Sequence, residues 1–535
     1  MKNIHQKIIS DILKARPKNQ VEFLKLKKKF SGKYNLAPVT NATLIKAYGQ
    51  ILPQGKKRQN LSSWLTKRKT RTLSGVTPLT VLTKPYPCPG RCLYCPQEPG
   101  MPKSYLAKEP AAQRAKMNDF DPARQVEMRI RALAANGHAV DKIELLILGG
   151  SFNAYPKNYQ QKFIQRCFEA VNGKKSANLK RAFKKNETAE HRIIGVTIET
   201  RPDLINQAEI KRFRELGVTR VQIGVQHLDD QILKLVRRGH TAEQTVTATK
   251  LLKTAGFKVD YHLMPDLPGS TPAKDLKMFH RLFTEPNFQP DQIKIYPTVV
   301  NEYAPLYQWF SSGQYRPYAP EKLAALLIKI KLTVPYYVRI NRLIRDIPKE
   351  SIAGGNKITN LREFLQAELK KKNLKCKCMR CREARESLAD LKKAKLFTQQ
   401  YSAAGGTEYF ISYESAKREK LYSFIRLRLN GPAELKNNFI PELRNALLVR
   451  EIHTYGPLVP VKQRRAQIQH TGFGKRLMKI AEKVALKNKL SKIAVIAGIG
   501  VRPYYRKLGY KLQGTYMIKN LEVDAKSQKL ECFGC

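Results

Sequence analysis

The sequence predicts an α/β chain: a full or partial barrel of parallel strands joined to a compact α+β domain, behind a basic helical module. Three observations predict it. Short apolar runs alternate with segments of helical period from residue 76 to 335, and strand-helix repetition over about 250 residues favours parallel strands. After the Gly405-Gly406 turn signal, successive strand-like runs give way to helix, strand, helix and strand. The first 80 residues hold 18 Lys+Arg against only Asp11 and Glu22.

Residues 1–75 are the expected helical module. Ile8, Ile9, Ile12 and Leu13, then Val21, Phe23, Leu24 and Leu26, have the spacing of short helices, with a solvated basic tail as the alternative. The barrel, residues 76–335, is read from IELLILGG (143–150), RIIGVTIET (192–200), RVQIGVQ (220–226), KVDYHLM (258–264) and QIKIYPT (292–298). Helical segments such as Asn206 to Leu216 and Thr241 to Ala255 lie between them. Chemistry in such barrels sits at the C-terminal strand ends, where Gly149, Gly150, Glu199, Gln226 and His227 fall. Residues 336–405 read as a basic connector. Residues 406–535 read as the α+β domain, with strands at 407–414, 422–429 and 444–456, a helix from Gly474 to Lys487, strand KIAVIAGI, a helix from Arg502 to Leu508 and strand KLQGTYMIKN.

Across 535 residues, 99 Lys+Arg against 43 Asp+Glu give a net charge of +56, which implies a polyanionic partner: nucleic acid, anionic membrane or acidic protein. The apolar run at Ile143 to Leu148 is far short of the ~20 residues that span a bilayer. The N-terminus lacks a secretory apolar region, so a cytoplasmic, non-membrane protein is expected. Of nine cysteines, all but Cys167 fall in tight groups, at Cys88/Cys92/Cys95, Cys376/Cys378/Cys381 and Cys532/Cys535, which suggests metal rather than a disulfide framework.

In Cys88-Pro-Gly-Arg-Cys92-Leu-Tyr-Cys95, three thiolates can hold three irons of a 4Fe-4S cluster and leave the fourth open. Zinc with a distant fourth ligand is the alternative. The spacing resembles the signature of radical S-adenosylmethionine (SAM) enzymes, in which the open iron binds SAM. Within that resemblance, Gly149-Gly150 matches the motif approaching the SAM amino group, and Glu199 the carboxylate that accepts from the ribose hydroxyls.

Gln469-His-Thr-Gly472-Phe473-Gly474-Lys475 opens a predicted helix, where two glycines let main-chain N–H groups point at a diphosphate. Its placement between strands resembles the GNAT acetyltransferase fold, which binds acetyl-CoA. That resemblance makes Glu451, Ile452, His453 and Thr454 lining candidates for the pantetheine, and Tyr504 and Tyr505 candidates for the thioester. Cys376-Lys-Cys378-Met-Arg-Cys381 reads as a structural zinc site with its fourth ligand unseen; a reduced thiol cluster or a second iron-sulfur site is the alternative.

The succession of these motifs, with KPYPCPGRCLYCP, GVTIETRPD, HLMPDLPGS, REIHTYGPLVPV, QHTGFGKRLM and VRPYYRKLGYKLQGTYMIK, resembles the Elongator catalytic-subunit family over nearly the whole length, in its stand-alone prokaryotic form. The resemblance implies a tRNA wobble-uridine carboxymethyltransferase, an acyltransferase-class enzyme using SAM radical chemistry and acetyl-CoA. It assigns Lys142 and Tyr505 to acetyl-CoA and Tyr318 to the SAM side. It also implies an electron donor for the cluster and admits partner subunits or a homodimer. Holding the anticodon stem-loop is expected of Lys56, Lys57, Arg58, Lys67, Arg68, Lys69 and Arg71, with Arg339, Arg342 and Arg345, whose spacing of three would share a helical face. A protein-lysine acetyltransferase with a structural iron-sulfur domain is the alternative function, weakened by repulsion between a +56 chain and basic tails.

Overall fold

The structure, a computed structural model, describes residues 3–51, 64–65, 75–384, 391–456 and 472–522. Lys56, Lys57, Arg58, Lys67, Arg68, Lys69, Arg71, Gln469, Cys532 and Cys535 lie outside these residues.

Three helices open the chain: α1 (Ile4–Lys14), α2 (Gln20–Lys33) and α3 (Asn41–Ile51). The Asn3 side chain accepts from the His5 N–H at 3.2 Å and Gln6 reaches back to the Asn3 N–H at 3.0 Å, closing a capping box. Ile8, Ile9 and Ile12 pack on Phe23, Leu44 and Tyr48, while Lys25, Lys28 and Lys29 stay exposed. The amphipathic spacing therefore builds a small core of its own with its cations outward.

Seven strands follow: β1 (Thr77–Leu82), β2 (Lys142–Leu148), β3 (Arg192–Thr200), β4 (Arg220–Gln226), β5 (Lys258–Leu263), β6 (Gln292–Ile295) and β7 (Arg339–Arg342). They pair in chain order, all parallel, from Thr77 opposite Ile143 to Gln292 opposite Arg339, as an open partial barrel with β1 and β7 at its edges. Intervening helices, capped by Asn206, Thr241 and Thr271, cover the outer face. On β2 the alternation is plain: Ile143, Leu145 and Ile147 are buried, whereas Lys142, Glu144, Leu146 and Leu148 face inward.

The sequence pattern had shown neither edge strand. In β1, Pro78 interrupts the run and is tolerated because the strand has one neighbour. In β7, RINR is too short and polar to read as a strand. Arg339 and Arg342 thus lie on a strand and Arg345 in the loop after it, which corrects the expectation of one helical face.

The second sheet comprises β8 (Lys395–Ala403), β9 (Gly406–Glu414), β10 (Leu421–Asn430), β11 (Leu447–Thr454), β12 (Lys492–Val495), β13 (Lys511–Gln513) and β14 (Tyr516–Asn520), ordered β8-β9-β10-β11-β12-β14-β13. Ala404 and Gly405, with φ of +46° and +74°, make the two-residue turn between β8 and β9. KLQGTYMIKN is a hairpin of two strands, and the helix Arg502–Arg506 ends before Leu508. Residues 336–405 give β7 to the first sheet and β8 to the second, so the expected connector is shared between the two sheets.

The two sheets are joined by buried polar bonds. Arg450 pairs with Asp291 and Glu408, Arg426 donates to the Tyr337 carbonyl at 2.6 Å, and Arg214 donates to the Thr515 carbonyl at 2.6 Å. Gly498 abuts the first sheet so closely that a Cβ there would sit 1.9 Å from the Ile194 oxygen. The relative placement of the sheets is thereby fixed.

Candidate active site

A cavity of about 1540 Å³ lies between the lumen of the partial barrel and the second sheet. Its lining carries 16 Lys/Arg against 7 Asp/Glu, an excess that favours anionic ligands. Cys88, Cys92 and Cys95, Gly150, Glu199 and Lys142 line it from the first sheet. Glu451 to Thr454, Gly472, Gly474, Lys475, Tyr504 and Tyr505 line it from the second.

The cysteine loop follows β1. Arg238 donates to Cys92 Sγ at 3.5 Å and Arg201 at 3.9 Å. Burial pushes this thiol up, but the two guanidinium groups outweigh burial and hold it below its ordinary value. At Cys95 burial and the neighbouring Cys92 outweigh Lys103 and Arg345 and push the thiol up to about 12. A Cβ at Gly90 would meet Arg201 Nη1 at 2.2 Å, so a larger residue there would displace the guanidinium that donates to Cys92. Lys103 donates to the Gly90 carbonyl at 2.5 Å and pins the loop. Three thiols with cations beside them suit an anionic iron-sulfur cluster.

Gly149 and Gly150, at the end of β2, have φ of +136° and +86°. A Cβ on Gly149 would sit 1.8 Å from Thr83 Oγ1, so the backbone enters a place that only glycine fills. Gly149 itself lies behind the cavity wall. Glu199, near the end of β3, accepts from the Tyr105 hydroxyl at 2.6 Å and lies 3.7 Å from Lys294. Burial lowers Lys294 to about 8, and its ammonium donates to Gln222 at 2.6 Å.

On the second sheet, β11 and β12 pair only at Leu447 to Val449 and then part. Residues Glu451 to Thr454 keep β10 on one side, and on the other side β12 has parted from them, with no other strand among the described residues pairing there. That exposed edge can pair with the amides of an extended ligand. The helix Phe473–Lys487 starts beside it, with Gly472 at φ +78° and no side-chain cap, so its first N–H groups suit a phosphate. A Cβ on Gly474 would lie 3.0 Å from the Tyr504 hydroxyl, which places that hydroxyl at the helix start. Tyr505 is more deeply buried against Tyr510, and burial raises both Tyr504 and Tyr505. Phe473 points away, packing on Tyr413 and under Arg476.

Two expectations, Tyr318 and the three arginines, meet a different setting, while the second cysteine group comes together as its spacing indicated. Tyr318 lies outside the cavity lining, its hydroxyl bonded to Asp275 at 2.9 Å and its N–H to Asp266 at 2.9 Å. Arg339 is spent on Glu383 and Tyr455, and Arg345 on Glu109 and Ser104, while half-exposed Arg342 holds Asp346 at 2.7 Å. All three line the cavity, as walls rather than an outer face. The sulfurs of Cys376, Cys378 and Cys381 lie within 4.8 Å of one another, apart from the cavity, and among the described residues no fourth His, Cys, Asp or Glu joins them. Sequence reasoning missed Arg201 and Arg238: ETRPD sits at the end of β3, and RRGHT lies between the helices Asp230–Leu235 and Ala242–Thr254. It also missed Lys294, which looked like one charge in an apolar run.

An open parallel half-barrel with three cysteines at its mouth defines the radical SAM class. Residues 86–282 match the Radical SAM superfamily model and residues 290–371 the Radical_SAM C-terminal domain model. That class implies a 4Fe-4S cluster and SAM. The chain is 44% identical over 474 residues to the tRNA uridine(34) acetyltransferase of Methanocaldococcus jannaschii, covering 86% of this chain and 87% of that one. It is 36% identical to human Elongator complex protein 3, covering 96% of each. The archaeal Methanocaldococcus infernus Elp3 with its N-terminus deleted superposes with a TM-score of 0.73 at 40% identity, over 84% of this chain and 100% of that one. The chain belongs to this family of tRNA uridine(34) acetyltransferases and Elongator complex protein 3.

Proposed function

We propose that the chain modifies the wobble uridine of tRNA, installing a carboxymethyl group on carbon 5 with SAM radical chemistry and acetyl-CoA. One observation carries the reading: the cysteine loop and the splayed-strand site open into the same cavity, held in fixed relation by buried interdomain bonds. A radical formed at one site must meet an acyl group held at the other without escaping to solvent.

Cys88, Cys92 and Cys95 would hold the cluster, Gly149 and Gly150 would admit the SAM amino group, and Glu199 would accept from its ribose. When bound, these cofactors supply a 5'-deoxyadenosyl radical able to take hydrogen from an acetyl methyl group. The freed edge Glu451 to Thr454 would bind pantetheine amides, and the N–H groups of Phe473 to Lys475 the diphosphate. Tyr504, at the helix start, is the better placed of the two tyrosines to donate to the thioester. Lys142, whose ammonium burial disfavours, faces the same cavity from β2. Presenting the base requires unstacking it, a cost of a few kcal/mol that phosphate contacts would offset. The basic N-terminal module, α1 to α3 and the segment after it, would supply those contacts. Cys376, Cys378 and Cys381 would hold zinc, since tetrahedral Zn–S bonds of about 2.3 Å set sulfurs roughly 4 Å apart, and these three lie within 4.8 Å of one another.

Iron-loaded, reduced protein given SAM, acetyl-CoA and unmodified tRNA should yield 5'-deoxyadenosine and carboxymethylated wobble uridine by nucleoside mass spectrometry. If acetyl-lysine on basic peptides were the sole product, the tRNA reading would be lost.

A further inference from the structure

Three tyrosines form a stack at the rim of the cavity. Tyr86, in the segment between β1 and Cys88, lies on Tyr155 with ring centroids 4.7 Å apart, and Tyr155 lies on Tyr159 at 5.0 Å. Two of the rings are tied to the chain they support: the Tyr155 hydroxyl donates to the Lys84 carbonyl at 2.7 Å, and the Lys84 N–H donates to the Tyr159 hydroxyl at 3.1 Å. The Lys84 ammonium lies over the Tyr159 ring, 5.2 Å from its centroid. Tyr86 ends the stack on the other side. Its ring is half-exposed, and among the described residues nothing bonds its hydroxyl and no second ring or cation covers it. Residues 84–89 and 151–162 carry exposed Lys84, Lys157 and Lys162, no acidic residue and no exposed large aliphatic side chain.

We propose that Tyr86 is a stacking platform for an RNA base adjoining the one that enters the cavity, with the exposed lysines beside it on the backbone phosphates; the inference rests on reading the substrate as tRNA. Cys88 lines the cavity and Tyr86 does not. Two residues span at most about 7 Å, so a nucleotide next to one inside the cavity reaches the ring. Extruding a base breaks its stacking on both neighbours, and an aromatic face at the rim restores one of those contacts to a neighbour of any sequence. The core of a protein interface is more apolar than this face, whereas aromatic rings between lysines suit single-stranded nucleic acid. Because Tyr155 and Tyr159 make the bonds to Lys84, the Tyr86 ring is free to serve the ligand.

The test uses iron-loaded protein and two anticodon stem-loops, each with 2-aminopurine on one side of the wobble uridine. Binding is read by the anisotropy of an end label and stacking by 2-aminopurine emission. Wild type should bind both RNAs and change the emission of one. Tyr86→Ala should weaken binding about tenfold and abolish that change, with iron per chain and SAM affinity unaltered, and Tyr86→Trp should restore both. Lys84→Gln with Lys157→Gln should weaken binding at low salt and reduce the salt slope by about two. Unaltered emission on wild type, or wild-type affinity in Tyr86→Ala, would overturn the platform while leaving the tRNA reading standing. Loss of iron along with affinity in Tyr86→Ala would make the ring a support of the cysteine loop and overturn the proposal. A wild type that binds neither stem-loop would overturn the tRNA reading and this proposal with it.

Discussion

Arg450 and Asp291 form a bidentate ion pair, at 2.5 and 2.9 Å, across the junction of the two sheets, and neither side chain is exposed to solvent. Asp291 immediately precedes β6, and Arg450 is the extra residue of a bulge in β11, where Arg426 faces Glu451 but Leu427 faces Val449. The bulge aims a cation between the sheets just before the strand becomes the freed edge. Lys253, Arg426 and Arg428 complete the group around Asp291 and Glu408. The same bulge therefore joins the sheets and begins the second half of the cavity.

Removing one member leaves buried charges without partners. Arg450→Met should destabilise the protein by about 3–5 kcal/mol in urea unfolding, more than truncation of a surface arginine. A loss under about 1 kcal/mol would show that the junction is held elsewhere.

Arg238 gives Cys92 both a donor and a cation. Arg238→Gln should lower iron per chain after reconstitution and move the cluster's reduction potential in the negative direction. Arg238→Lys should recover part of both. Unchanged iron content and potential in the glutamine variant would remove Arg238 from the site.

Burial raises the Glu451 carboxyl, but Lys258 and Arg426 outweigh burial and bring it to about 2. A depressed folded value means stability present above the unfolded value near 4.5 and lost as pH falls toward 2. The stability advantage of wild type over Glu451→Gln should shrink by about 2 kcal/mol between pH 5 and pH 3. A pH-independent difference would mean that the carboxylate is not paired in solution.

Cys378 is buried in the tight thiol group, and Met379 beside it donates its N–H to the Val338 carbonyl next to β7. Cys378→Ser should remove one zinc per chain by elemental analysis and lower Tm. It should spare the iron bound at Cys88, Cys92 and Cys95. Full zinc occupancy in the variant would refute the assignment.

The sequence determined what local chemistry can determine: the apolar runs of β2 to β6, the glycine pair, both cysteine groups and the glycine-rich helix start. Each is a property of a few adjacent residues, and each lies where the spacing indicated. Tertiary structure decided what depends on distant partners. β1 and β7 are strands because a neighbour pairs with them, although a proline and two arginines hide them in the sequence. Arg339 and Arg345 are walls of the cavity because Glu383 and Glu109 meet them from far along the chain. Burial and nearby charge, which no single segment encodes, set Cys92 below and Cys95 above their ordinary values. That the two halves share one cavity follows from ions brought together only when Phe257, Asp291, Glu408 and Arg450 are folded side by side.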